Sequence, residues 1–187
     1  MDLEYYRRTL EQAGVKFERG LSEAEAQRAE RKYEFKFPPD LRAFLMHALP
    51  VSSGWPNWRD VPNRDIPRMM NWPLEGMLFD IKFNTFWPEE WGDKPNNLRA
   101  AFALAKSKVA EAPKLIPIHG HRYIPDAPEE IGNPVFSIYQ TDIIQYGADL
   151  SNYLENEFPF YFKTPQFNYK EPIRHIAFWS WLVEKNS

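Results

Sequence analysis

The chain has 187 residues, is 43% hydrophobic and carries a formal net charge of −3 at pH 7, so we expect one domain, spanning residues 1–187, that buries one core. The absence of cysteine excludes disulfides and thiolate metal sites. No run approaches the roughly 18 to 20 apolar residues that a membrane helix needs, and a cytoplasmic protein fits best.

The first fifty residues predict three helices. A segment at about 2–13 is amphipathic and lacks the apolar region of a signal peptide. The second helix, at about 23–34, begins with a capping box formed by Ser22 and Glu25. The third, at about 39–49, follows Pro38 and Pro39, which suit only the first turn of a helix. We expect a sharp corner there, with a buried set consisting of Phe35, Phe37, Leu41, Phe44 and Leu45.

The rest of the chain predicts strands followed by helices. In chain order we expect a Trp- and Pro-rich loop at about 50–73, a strand at 76–81, a helix at about 96–111 capped by Asn96 or Asn97, strands at 114–118, 134–139 and 142–147, and helices at about 148–157 and 173–185. A tight turn at Gln140 and Thr141 joins the last two strands, and the last helix should dock on the sheet. This order favours an α+β fold, with a mixed or antiparallel sheet flanked by helices.

Five segments carry a family resemblance. They are "GLSEAEAQRAERKYEFKFPPDLRAFL" (20–45), "PNWRD" (56–60), "WPLEGMLFDIKFNTFW" (72–87), "LIPIHGHRYIP" (115–125) and "GNPVFSIYQTDIIQYGADLSNYL" (132–154). In this order they resemble the SUKH superfamily, the Smi/Knr-like proteins. The chain departs from the family pattern after the third helix, where Leu49 and Pro50 replace an asparagine-glycine.

The resemblance implies a protein partner and no reaction. Bacterial members of the superfamily are implicated as immunity proteins that bind and neutralise toxin domains, and fungal relatives as regulators of cell-wall assembly. Neither role needs catalysis or a cofactor. The resemblance therefore favours a non-catalytic immunity protein whose partner is a bacterial toxin domain, with a regulator or scaffold in cell-wall or envelope biology as the alternative. It defines neither the toxin nor the oligomeric state.

Two histidines offer an enzymatic alternative, a metal-dependent hydrolase. His119 and His121 would share one face of a strand, and Asp126 and His175 could add ligands. The pair flanks a glycine at a strand end, however, and the chain has no HExxH helix, GxSxG or glycine-rich phosphate loop. We expect these histidines to hold a loop through hydrogen bonds and to bind no metal.

The tryptophans raise a carbohydrate-binding alternative. Trp55, Trp58, Trp72, Trp87 and Trp91 all fall in predicted loops, where flat indole rings could stack on sugars. A long Pro-rich loop also needs a small core of its own, which tryptophan can fill. Exposure in one row would favour sugar binding, and interdigitation would oppose it.

Charge distribution argues against nucleic acid and for an acidic partner-facing surface. The nearest approach to a basic cluster, at positions 59, 64 and 68, is interrupted by acidic residues. Between positions 123 and 162 there are seven acidic residues and no lysine or arginine, a pattern that suits a basic toxin. Our candidate partner-binding residues are Asp126, Glu129, Glu130 and Asp142, with Trp58 and Trp72 as apolar anchors.

Overall fold

The computed structural model describes residues 1–165 and 172–186. Within these ranges the chain forms helices α1 (Leu3–Gln12), α2 (Glu23–Tyr33), α3 (Pro39–His47), α4 (Asp65–Phe83), α5 (Leu98–Ala110), α6 (Leu150–Glu157), α7 (Pro159–Phe162) and α8 (Trp179–Asn186). A single 3₁₀ turn covers Glu89–Trp91. The strands are β1 (Phe17–Arg19), β2 (Ala48–Pro50), β3 (Leu115–His119), β4 (Arg122–Pro125), β5 (Val135–Tyr139) and β6 (Asp142–Gly147).

The strands form two antiparallel sheets. β1 pairs with β2, and β3, β4, β5 and β6 form a four-stranded sheet in that order. Because neighbouring strands follow one another in the chain, the turns β3–β4 and β5–β6 lie at the same end of the larger sheet. The fold is α+β in one domain, which confirms the predicted class.

The double proline joins α2 and α3 as predicted. Ser22 and Glu25 form the reciprocal capping box at the start of α2. Glu34 then adopts a left-handed conformation with φ of 56° and ends that helix. Pro39 occupies the first position of α3, where a missing N–H leaves no bond unmade. All five side chains predicted to be buried at this corner are buried.

Two hydrophobic clusters lie on opposite faces of the larger sheet. Alternate strand residues contribute to each cluster, as the pleat requires. The first core combines the sheet with α1, α2, α3, α6 and the loop after β2, and its sheet residues include Ile116, Ile118 and Ile124. The second core combines the sheet with the C-terminal half of α4, α5 and α8, and its sheet residues include Tyr123, Phe136 and Ile138.

Several predicted elements were wrong in kind or in extent. The segment 76–81, predicted as a strand, lies inside α4, so the loop after β2 ends at Arg64 rather than near residue 73. The last helix begins at Trp179 instead of near residue 173, because residues 172–178 are not helical. It packs along β6. Leu49 and Pro50, where the chain departs from the SUKH pattern, lie in β2. The prediction also missed a set of short elements: β1, β2, β4 and α7.

No helix in the described part of the chain could span a membrane. None of the helices within residues 1–165 and 172–186 combines the length and the hydropathy needed to cross a bilayer.

Candidate functional site

Helix α4 presents a row of exposed aromatic side chains. Trp72, Phe79 and Phe83 are spaced seven and four residues apart, so they share one face of the helix. Trp72 is 43% exposed, Phe83 is 60% exposed, and the ring centroids of Phe79 and Phe83 lie 4.8 Å apart. Exposed aromatic side chains that share one helix face are typical of a surface that binds a partner.

The turn between β5 and β6 packs against the middle of this row. A Cβ atom on Gly76 would lie 2.7 Å from the Cα atom of Gln140, so only glycine permits this approach. The buried carboxylate of Asp80 accepts a hydrogen bond from the backbone N–H of Thr141 at 2.9 Å and one from its hydroxyl at 2.6 Å. The turn is therefore fixed to α4 by both packing and hydrogen bonds.

Two exposed residues flank that turn. Tyr139, which is 60% exposed, and Asp142 lie directly opposite each other at the ends of β5 and β6. Gln140 lies on Gly76, so this pair lies next to α4 in the fold. Its side chains project from the sheet face opposite the buried pair Ile138 and Ile143, because successive strand residues alternate between faces. We call the residues around this turn the α4–hairpin surface: the row of α4 on one side, formed by Trp72, Phe79 and Phe83, and the hairpin pair on the other, formed by Tyr139 and Asp142.

A cleft of about 330 Å³ opens at the Trp72 end of the α4–hairpin surface. It lies between α4 and the turn that joins β3 to β4. The hydroxyl of Tyr123 donates a hydrogen bond to the carbonyl oxygen of Met69 at 2.9 Å and so ties the sheet to α4 at the cleft. The lining residues are Arg68, Met69, Trp72, Gly120, His121 and Tyr123.

The two candidate metal-binding histidines do not share a strand. β3 ends at His119, whose ring stacks on Trp55 with centroids 4.9 Å apart and whose Nδ1 lies 3.7 Å from Glu157. His121 follows in the turn and lines the cleft, and His175 lies 3.6 Å from a carboxylate oxygen of Glu184. In the described part of the chain, no three His, Cys, Asp or Glu side chains are grouped to hold a metal ion.

The five tryptophans predicted in loops have different environments. Trp58 is 1% exposed and packs edge-on against the phenylalanines of the α2–α3 corner, and Trp55 is also buried. Trp87 and Trp91 are partly buried and contact each other at 5.3 Å between centroids. Trp72 is exposed, and it lies on a helix instead of in a loop. A partner can therefore contact Trp72 on the surface, but it cannot contact Trp58 without opening the core.

The four candidate acidic residues do not form one patch. Asp126, Glu129 and Glu130 follow β4 at one end of the sheet, whereas Asp142 lies at the other end, beside Tyr139. Asp126 is partly buried and accepts a hydrogen bond from the backbone N–H of Lys114 at 2.8 Å. Burial raises the pKa of the Asp126 carboxyl above its ordinary value. Glu129 and Glu130 are exposed.

The remaining acidic residues of the segment have structural roles. Asp149 caps α6 by accepting a hydrogen bond from the backbone N–H of Asn152 at 2.7 Å. Glu155 accepts a hydrogen bond from the hydroxyl of Tyr6. Glu157 lies 3.2 Å from the guanidinium of Arg122, and both side chains are partly buried. These three carboxylates stabilise α6 and its contacts instead of extending an acidic face.

Sequence reasoning missed most of the α4–hairpin surface. It singled out Trp72 and Asp142 but not Phe79, Phe83 or Tyr139. The signal was present in the letters of α4, because apolar residues occur on nearly all sides of this helix. Such a helix is either buried on all sides or covered by a partner on one of them.

Comparison with known proteins gives no relative: the chain matches no protein-family model, no curated protein and no solved structure. The fold and the surface define an α+β domain with an exposed aromatic site. Membership of the SUKH superfamily stays a prediction from the sequence.

Proposed function

We propose that this chain is a non-catalytic protein-binding domain whose partner docks on the α4–hairpin surface. The observation that carries the proposal is the exposure of Trp72, Phe79 and Phe83 on one face of α4, beside a fixed turn. Aromatic side chains dominate the binding energy of protein interfaces, because they bury a large area with few rotatable bonds.

The size of the surface suits a protein partner. Each aromatic side chain has an area of about 150–250 Å², so the three of α4 at about half exposure offer roughly 300 Å². A standard interface buries about 800 Å² on each partner, with an apolar centre and a polar rim. The α4–hairpin surface therefore has the dimensions of an interface centre, and Glu75, Lys82 and Asp142 are exposed polar residues suited to its rim.

The resemblance to the SUKH superfamily supports a toxin domain as the partner. In this reading the chain is an immunity protein that neutralises a bacterial toxin by covering part of its surface. A regulator or scaffold in envelope biology would bind through the same surface and differ only in its partner.

The first part of the test is whether a secreted-toxin gene lies directly upstream of the gene of this chain, as an immunity role predicts. The binding measurement then uses the purified toxin domain from that gene. Calorimetry should give a dissociation constant at least 30-fold higher for Trp72→Ala and for Phe79→Ala, because a hot-spot residue contributes about 2 kcal/mol or more. The matched control is Phe160→Ala, which removes an 85% exposed aromatic ring from α7. Equal affinity of the parent and both surface variants would contradict the proposed docking site.

A second variant tests the acidic loop. Changing Asp126, Glu129 and Glu130 to amides should leave the dissociation constant within about threefold, because these residues lie at the far end of the sheet from Asp142. Association rates at two salt concentrations complete the measurement. A slower association of the amide variant at low salt, with unchanged rates for Trp72→Ala, would move the docking site to the acidic loop.

A further inference from the structure

The cleft beside Trp72 has a consistent chemical character. The indole of Trp72, the side chain of Met69 and the ring of Tyr123 provide apolar and aromatic walls. Arg68 supplies a permanent positive charge at the cleft, and His121 adds an imidazole that can donate a hydrogen bond. No carboxylate belongs to the lining residues.

The walls of the cleft are held in place before any ligand arrives. The backbone N–H of Gly120 donates a hydrogen bond to the carbonyl oxygen of Gly54 at 2.8 Å, which fixes the turn between β3 and β4. The bond from the Tyr123 hydroxyl to Met69 fixes the other side against α4. Preorganised walls reduce the conformational entropy that binding costs.

The guanidinium of Arg68 is available to a ligand. Its contact in the structure is with Asp65, at 3.1 Å and one helical turn away, and both side chains are largely exposed, at 72% and 63%. An exposed ion pair of this kind contributes little to stability and is readily exchanged for another partner. A ligand carboxylate partly shielded by the cleft forms a stronger, bidentate contact with arginine.

We infer that this cleft binds an aromatic carboxylate, with the ring against Trp72 and the carboxylate at Arg68. In a protein partner, this ligand would be an aromatic side chain that lies next to a carboxylate and anchors the partner in the cleft. That part of the inference rests on the proposed function. The partner thus presents negative charge at the Trp72 end of the surface.

The experiment is a ¹H–¹⁵N NMR titration of the full chain with three probes of nearly equal shape: phenylacetate, phenylacetamide and phenethylammonium. Phenylacetate should shift the amide signals of Gly120 and His121 and the indole N–H signal of Trp72. It should bind about 10-fold tighter than phenylacetamide, since a hydrogen bond to a charged group contributes about 1.5 kcal/mol or more. Equal binding of the three probes, tighter binding of the ammonium, or no binding of phenylacetate would overturn the inference.

Two arginine variants test whether Arg68 is the residue that binds the carboxylate. Arg68→Gln should weaken phenylacetate about 10-fold and leave phenylacetamide unchanged. Arg64→Gln is the matched control, because Arg64 is exposed at the start of α4 but does not line the cleft. An equal loss in both variants would assign the effect to the general field of the protein and overturn the specific site.

The titration and the toxin-binding measurement fail independently. The probes contain no protein, so failure of phenylacetate to bind leaves the effect of Trp72→Ala on toxin affinity unaffected. Conversely, selective binding of phenylacetate together with unchanged toxin affinity in both Trp72→Ala and Phe79→Ala would keep the ligand site and remove the proposed docking surface.

Discussion

At the scale of single residues, Phe44 shows how the double-proline corner is stabilised. Its side chain is 1% exposed, and its ring lies 6.3 Å from that of Phe17 and 6.4 Å from that of Trp55. Phe44→Ala should lower the free energy of unfolding by about 3–5 kcal/mol through the lost contacts and the cavity left behind. Urea denaturation measures this change. Phe160→Ala, at an exposed position, should stay within about 0.5 kcal/mol of the parent; a Phe44 variant that unfolds like this control would contradict the packing.

Asp126 provides a prediction about pH. Because burial raises the pKa of this carboxyl in the folded state, the folded protein holds the proton more tightly than the unfolded chain does. Below the pKa of the unfolded state, about 3.9, this carboxyl is protonated in both states and does not reduce the free energy of unfolding. Above the pKa of the folded state, the full cost of ionising the buried Asp126 carboxyl reduces the free energy of unfolding. Asp126→Asn carries no such charge, and its amide oxygen can still accept the hydrogen bond from Lys114.

The stability of Asp126→Asn relative to the parent should therefore rise as pH increases from 3 to 7. Chemical denaturation at a series of pH values gives the difference, and groups common to both proteins cancel. A constant difference across the range would show that burial does not shift the titration of this carboxyl.

At the scale of elements, α4 explains the largest difference between prediction and structure. Pro73 and the strand-like letters of "GMLFDI" favour a loop followed by a strand. Ile66, Pro73, Met77 and Ile81 nevertheless follow the spacing of one helix face, and all four are buried. Tertiary packing of this face outweighs the hydrogen bond that the proline cannot make.

Other elements were predictable because local chemistry decides them. The capping box of α2, the cap of α5 at Asn97 and the two-residue turn between β5 and β6 depend on residues close in sequence. β1 and β2 have three residues each, too few for alternation to be visible, and they form by pairing with each other across the chain. Long-range pairing of this kind leaves no local signal.

The contact of Gly76 with the β5–β6 turn yields a prediction at this scale. Alanine is the better helix former by about 1 kcal/mol, but its Cβ atom would overlap the backbone of Gln140, at 2.7 Å. Overpacking costs about 1–3 kcal/mol and exceeds or cancels this gain, so we expect Gly76→Ala to be less stable than the parent by up to about 2 kcal/mol.

Urea denaturation measures the stability of this variant, and hydrogen exchange should be faster at the amides of residues 139–142. Glu75→Ala, at the exposed neighbouring position, serves as the control for helix propensity. A Gly76→Ala variant that is more stable than the parent, with equally slow hydrogen exchange in the turn, would show that the close approach of Gly76 to Gln140 does not affect stability.

At the scale of the whole molecule, the two cores share one sheet. Ile124 belongs to the first core and Ile138 to the second, and β4, which carries Ile124, pairs with β5, which carries Ile138. Loss of either core exposes one face of the sheet and removes support from the other. We expect a single cooperative transition in calorimetry, with equal calorimetric and van't Hoff enthalpies.

Ile124→Val and Ile138→Val test this coupling. Each should lower the one transition temperature, because each removes a buried methyl group worth about 0.5–1.5 kcal/mol. Two separate transitions, each moved by only one of the variants, would divide the chain into independent units.

The two faces of α4 have consequences for how proteins of this kind change over time. Ile66, Met77 and Ile81 are held by packing, and their replacement destabilises the fold. Trp72, Phe79 and Phe83 face solvent, so substitutions there have little effect on stability. A lineage can therefore exchange one binding partner for another through a few mutations on a single helix, without passing below its stability threshold. The same separation makes positions 72, 75, 79 and 83 a natural library for retargeting the domain by selection.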